Sequence, residues 1–125
     1  MADFDELSTE RIARSLAKQY AVLIASCEML PIPVSLPRST NGELSNVDTV
    51  PAVRRLAELA GEQPMPEEIQ AALFTAAIFW LTAMDQLGII IANQWHDIRG
   101  FQALAALEMS GSALADLGAW LLDQD

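Results

Sequence analysis

Three places in this 125-residue sequence hold groups that could do chemistry: His96 beside Asp97 in "NQWHDIRG", Cys27 in "LIASCEML", and the acid pair Glu67–Glu68. A thiol becomes a nucleophile when a neighbouring imidazole takes its proton, so Cys27 and His96 would form a reactive pair if the fold brought them together. Cys27, however, falls on an apolar helical stripe, where a free cysteine packs as a small, inert hydrophobe. His96 is the only histidine, and no second Cys or His stands at metal-ligand spacing from it. The six glycines are scattered at 42, 61, 88, 100, 111 and 118, so there is no glycine-rich phosphate loop and no nucleophile elbow. Glu67–Glu68 and the acids Asp3, Asp5 and Glu6 read as helix-end and solvent charges. The expectation is a protein that is not an enzyme, with no catalytic residue, no cofactor and no metal.

Charge narrows the partners. The formal net charge is -10. Residues 1–64 carry nine acids and six bases, whereas residues 65–125 carry eight acids and one base, Arg99. Affinity for phosphates comes from Lys and Arg displacing counterions, so direct binding to nucleic acid or to an anionic membrane is not expected. An acidic surface favours basic partners and keeps the chain soluble. The single cysteine excludes an intrachain disulfide, and the acidic "MADFDELSTE" lacks the basic and apolar regions of a signal peptide, so a cytoplasmic address is expected. About half the chain is apolar, which places it among compact folders. The length suits one domain, residues 1–125.

The elements that would position these groups are helices. In residues 9–30, Ile12, Leu16, Tyr20, Leu23, Cys27 and Leu30 recur at steps of three and four, with Arg11, Arg14 and Lys18 on the other side; Pro31 stops the run. Residues 31–49 hold three prolines and an Asn-Gly turn signal, with Ile32, Val34 and Leu36 alternating along an extended Pro-rich strap. That strap either packs on the chain's own helices or docks on a partner. A short helix over about 50–60, capped by Thr49 or Asp48, turns Val53 and Leu56 inward and ends at Gly61. After "GEQPMP", a long helix over about 66–94 carries an inward stripe of Ile69, Leu73, Ala76, Trp80, Met84, Leu87, Ile91 and Trp95. A second stripe of Phe74, Ile78, Leu81 and Ala92 makes it apolar nearly all round, which predicts burial centrally or against another chain. The last helix, about 98–122, places Leu107, Leu114 and Leu121 seven apart, and Leu104, Gly111 and Gly118 likewise, as in a heptad seam. A break near Ser110–Gly111–Ser112 is the competing account. The fold expected is all-α: a four- to five-helix bundle with a long central C-terminal helical hairpin.

The stretch "FWLTAMDQLGIII" at 79–91 raises the possibility of a membrane span. The charge-free run Ile69–Met84 falls short of the ~20 residues needed to cross hydrocarbon. Extending it brings in Asp85, at a cost of about 2.5–3.5 kcal/mol, without flanking basic residues. A soluble helix is expected, with Asp85 and Gln86 about 100° apart, one toward water and one toward a neighbour.

These observations predict a small acidic protein that acts by binding another protein with a basic surface: an inhibitor, immunity-type factor, anti-activator or assembly chaperone of bacterial or phage character. Its carboxylates could even imitate nucleic acid. The residues expected to meet the partner are Glu67, Glu68, Asp85, Trp95, His96, Asp97 and Arg99. Trp95 could equally plug the core at a hairpin corner, with Arg99 paired to Asp97. A homodimer is expected through Leu104, Leu107, Gly111, Leu114, Gly118, Trp120 and Leu121, with the glycines allowing close backbone approach. The alternatives are a self-assembling structural subunit, or a small-molecule pocket among Phe74, Phe79, Trp80 and Phe101. The charge argument gives a direct test: DNA and RNA probes should show no electrophoretic shift at low salt and low micromolar protein, because one base in the C-terminal half cannot supply the counterion release.

Overall fold

The computed structural model describes residues 4–38, 46–93 and 96–124, which form four α-helices and a short 3-10 turn. They are α1 (Phe4–Glu28), α2 (Asn46–Leu59), the 3-10 turn Ala60–Glu62, α3 (Glu67–Asn93) and α4 (Asp97–Leu122). The protein is all-α, as the spacing predicts. α1 begins earlier than the periodicity requires, since no Gly or Pro interrupts the chain from Phe4 onward. α2 starts at Asn46 rather than 50, with Pro51 in its second turn. Proline has no N–H to give the Val47 carbonyl, so the backbone bond there is lost while the helix continues. α4 runs unbroken through Ser110–Gly111–Ser112, so the helix break is not found.

The stripe of α1 is buried along its whole length: Ile12, Leu16, Tyr20, Leu23, Cys27 and Leu30 are all inaccessible or nearly so. From α2, Val53 and Leu56 join them, while Arg54 and Arg55 stay exposed. From α3 come Leu73, Trp80, Met84 and Leu87, and from α4 Leu107, Leu114, Leu117 and Leu121.

α3 and α4 pack against each other along opposite chain directions, and the closest of their sides are built from small residues. Ala72, Ala76 and Ala83 on α3 are buried, as are Ala103, Ala106, Ser110 and Ala113 on α4. Ser110, fully buried, donates its hydroxyl to the Ala76 carbonyl at 2.8 Å. That bond requires two helix backbones within one serine of each other, which alanine-sized neighbours allow. The other face of the pair receives α1. Trp80 donates its indole N–H to the Leu16 carbonyl at 3.0 Å, and its ring stacks at a tilt on Tyr20, centroids 5.4 Å apart. Gln19 donates to the Leu107 carbonyl at 2.9 Å. Each of these bonds ties a side chain to a helix distant in sequence.

The segment after α1 is held by the chain itself. Gln63 is buried, and its amide both donates to the Ile32 carbonyl (2.7 Å) and accepts from the Ile32 N–H (3.0 Å), as a neighbouring strand would. Val34 donates its N–H to the Cys27 carbonyl at 3.0 Å, and the Tyr20 hydroxyl donates to the Pro37 carbonyl at 2.5 Å. Arg38 pairs with Glu28 at the surface. Leu36 is buried and Val34 half-buried, but Ile32 remains 56% exposed. Residues 39–45 of the expected strap lie outside the described residues, and 46–49 are helical rather than extended.

Because α3 and α4 meet through alanine and serine, enlarging one of these residues should force the helices apart. Ala76→Leu is expected to lower stability by about 1–3 kcal/mol. The exposed Ala21→Leu on α1 should stay within about 0.5 kcal/mol of wild type. Urea unfolding followed by circular dichroism checks both.

Candidate functional site

The groups with chemical potential are kept apart. Cys27 is wholly buried in the core stripe, and desolvation, with Glu28 a smaller contribution, pushes its thiol up to about 12. A thiol held protonated is neither a nucleophile nor a ligand at neutral pH. His96 is exposed and sits at the N-terminus of α4, where its Nδ1 accepts the Ile98 N–H at 3.2 Å. That is a helix cap, satisfying one of the donors a helix start leaves open. Among the described residues, no group of three or more His, Cys, Asp or Glu could hold a metal ion.

The seven residues expected at a partner site do not converge. Glu67 and Glu68 open α3, whereas His96, Asp97 and Arg99 open α4 at the other end of the hairpin; Trp95 lies outside the described residues. A helix of 27 residues separates those ends by about 40 Å. Asp85 lies between them, exposed, while its neighbour Gln86 is half-buried with its Oε1 enclosed and unpaired. Those of the seven that are described therefore stand at the two ends and along the middle of one rod.

The seven residues of the expected dimer seam are also placed differently. Leu107, Leu114 and Leu121 are 4–5% exposed and belong to the chain's own core, so the heptad seam is consumed inside the molecule. Leu104 and Trp120 pack half-buried against that core. Neither glycine marks a close approach: a β-carbon at Gly111 would stand 3.5 Å from Gln19, an ordinary contact, and one at Gly118 would meet nothing within 4 Å. Trp120 instead borders a cleft of about 490 Å³ with Met29, Pro31, Pro64, Leu121 and Gln124. The aromatic pocket does not form either, since Trp80 is buried in the core while Phe74 and Phe101 are exposed.

What the hairpin leaves open is its outer face, on the side away from α1. At one end a groove of about 230 Å³ is lined by Glu68, Ala71, Ala72 and Thr75 of α3 and by Met109, Ser112, Ala113 and Asp116 of α4. Helical spacing continues the α3 row through Ile78, Thr82 and Ile89, and the α4 row through Ala105 to Ile98. The α4 members are exposed, with Ile98 61% and Met109 50% accessible, and Phe101 at 64% flanks them. By length and composition α3 is apolar enough to cross a membrane, with a mean hydropathy of 1.6 over 18 residues, but only 39% of that stretch is buried. Within the chain, one side of α3 is core and one side is open. The rows on α4 were overlooked in the sequence because a seven-residue leucine repeat is a louder pattern; the three- and four-residue steps linking Ile98, Phe101, Ala105, Met109 and Ser112 were the available signal.

No protein-family model, curated protein or solved structure matches this chain. The geometry stands alone.

Burial of Cys27 makes a measurable statement. The native protein should resist thiol reagents at pH 8 and react fully once unfolded in urea. The sign of the linkage also follows: unfolding frees a thiol that ionises near 9 while the folded one stays protonated to about 12, so this group subtracts stability as pH rises from about 9. Rapid labelling of Cys27 in the folded protein would show the thiol to be accessible.

Proposed function

We propose that the chain is a small cytoplasmic helical bundle that acts by binding other proteins and not by catalysis. The observation that carries this reading is the outer face of the α3–α4 hairpin. Ile98, Phe101 and Met109 are each at least half exposed there, and apolar side chains presented in contiguous rows are characteristic of interaction surfaces. The acids around the face support a choice of partner. Glu67, Glu68, Asp97, Glu108 and Asp116 are all exposed, and on a chain of net charge -10 they would steer a basic protein toward it. An inhibitor, anti-activator or assembly-chaperone role fits such a surface, as does imitation of a nucleic acid's charge.

A second reading draws on the cleft beside Trp120. Its lining of Met29, Pro31, Pro64 and Leu121, with Gln124 as a polar edge, suits a small apolar ligand.

Tagged wild-type protein used as bait in its native host should recover a basic protein in stoichiometric amount. Replacing Glu67, Glu68 and Asp116 by lysine should slow association with that protein by about tenfold, with the difference shrinking as salt rises. An association rate that ignores all three reversals would remove the electrostatic basis of the reading.

A further inference from the structure

We propose that the outer face of the α3–α4 hairpin is covered by a second copy of this chain, the two hairpins forming a four-helix layer about a two-fold axis. This rests on the protein-binding reading and names what occupies its apolar face. The dimer differs from one built on the leucine seam, because Leu107, Leu114 and Leu121 are already inside the chain.

Area is the first argument. Helices of 27 and 26 residues are about 40 Å long, and two of them packed side by side span about 20 Å, a face of about 800 Å². A stable interface needs roughly 800 Å² from each partner, which is the extent of the whole face. Its texture suits helix packing: Thr75, Thr82, Ala105 and Ser112 are small, and Ile78 and Met109 rise between them. None of these six carries a charge. A two-fold axis lets one such surface cover itself, each ridge meeting its own groove.

Charge placement selects the orientation. Glu68 and Asp116 line the groove at one end of the face, and Arg99, the only base between residues 65 and 125, is exposed beside the exposed Asp97 at the other end of the hairpin. An axis perpendicular to the face reverses the second hairpin, laying the acidic end of each copy over the Arg99 end of the other. It thereby joins the two groups of residues that one chain holds about 40 Å apart. Asp85, which continues the α3 row between Thr82 and Ile89, and Glu108 beside Met109 are both exposed. The net charge of -10 on each copy opposes association at long range, so the dimer tightens as salt screens it, whereas binding to a basic protein weakens.

Sedimentation equilibrium or light scattering at tens of micromolar should give twice the 13.6 kDa of one chain. Ala105→Glu introduces a charge at the centre of the face on an exposed position, so it should keep full helicity and raise the dissociation constant by about a hundredfold or more. Arg99→Glu should raise it by about tenfold, and adding Glu68→Arg to that variant should restore most of the loss. A single-chain mass for wild type would overturn the proposal, as would a dimer indifferent to both Ala105→Glu and Arg99→Glu. A monomer that floats with neutral phosphatidylcholine vesicles would assign the face to lipid and overturn it equally. The reading of a basic foreign partner is decided separately: a dimer that captures no other protein leaves this interface standing and removes that reading, and a monomer that captures one does the reverse.

Discussion

Everything in this molecule depends on how closely α3 and α4 approach. Ser110 on α4 bonds its hydroxyl across to the Ala76 carbonyl on α3, and buried alanines lie near it along both helices. Such a contact is strong in dispersion because the backbones are near, but it uses little of either helix's circumference. Each long helix therefore has two sides left to cover. α1 packs on both helices and α2 packs directly on α3, closing one side, where Trp80 meets Leu16 and Tyr20. Nothing in the chain's described residues covers the other. The asymmetry between a sealed inner side and an open outer side follows directly from making the central contact small.

The polar groups of the interior reinforce the sealed side. Trp80 and Gln19 each donate to a carbonyl on a partner helix. Gln63 reproduces a strand-like pair of bonds on the backbone of Ile32. These bonds satisfy backbone and side-chain groups that burial would otherwise leave unpaired, at a cost of about 1–3 kcal/mol each. They also fix where α1 and the following segment sit, so the segment with alternating Ile32, Val34 and Leu36 is part of the scaffold. The same packing encloses the Cys27 thiol, while the His96 imidazole caps α4.

The outer face is the open surface of the fold. It is long and exposes Ile98, Phe101 and Met109, with Glu68 and Asp116 at one end and Arg99 beside Asp97 at the other. The proposed two-fold axis would let such a surface meet a second copy of itself. Recognition by a rigid helix pair needs no moving part, and the well-packed alanine contact beneath the face keeps its shape fixed.

The sequence by itself determined the helices and the inner core. The steps of three and four from Ile12 to Leu30 named the buried stripe of α1, and Trp80, Leu73 and Val53 were legible in the same way, because a helix's periodicity reports which residues share a side. The acid-rich, base-poor C-terminal half was equally plain. Which side each long helix turns inward was decided only by the tertiary structure. α3 and α4 are apolar on more than one side, so periodicity offers several equivalent stripes, and the choice between Leu107–Leu114–Leu121 as core or as surface depends on where α1 lies. Nor could spacing along the chain show that Gln63, in a proline-edged linker, would hold Ile32, or that Ser110 would bond to Ala76. Those are contacts between residues distant in sequence, set by packing that no local pattern records.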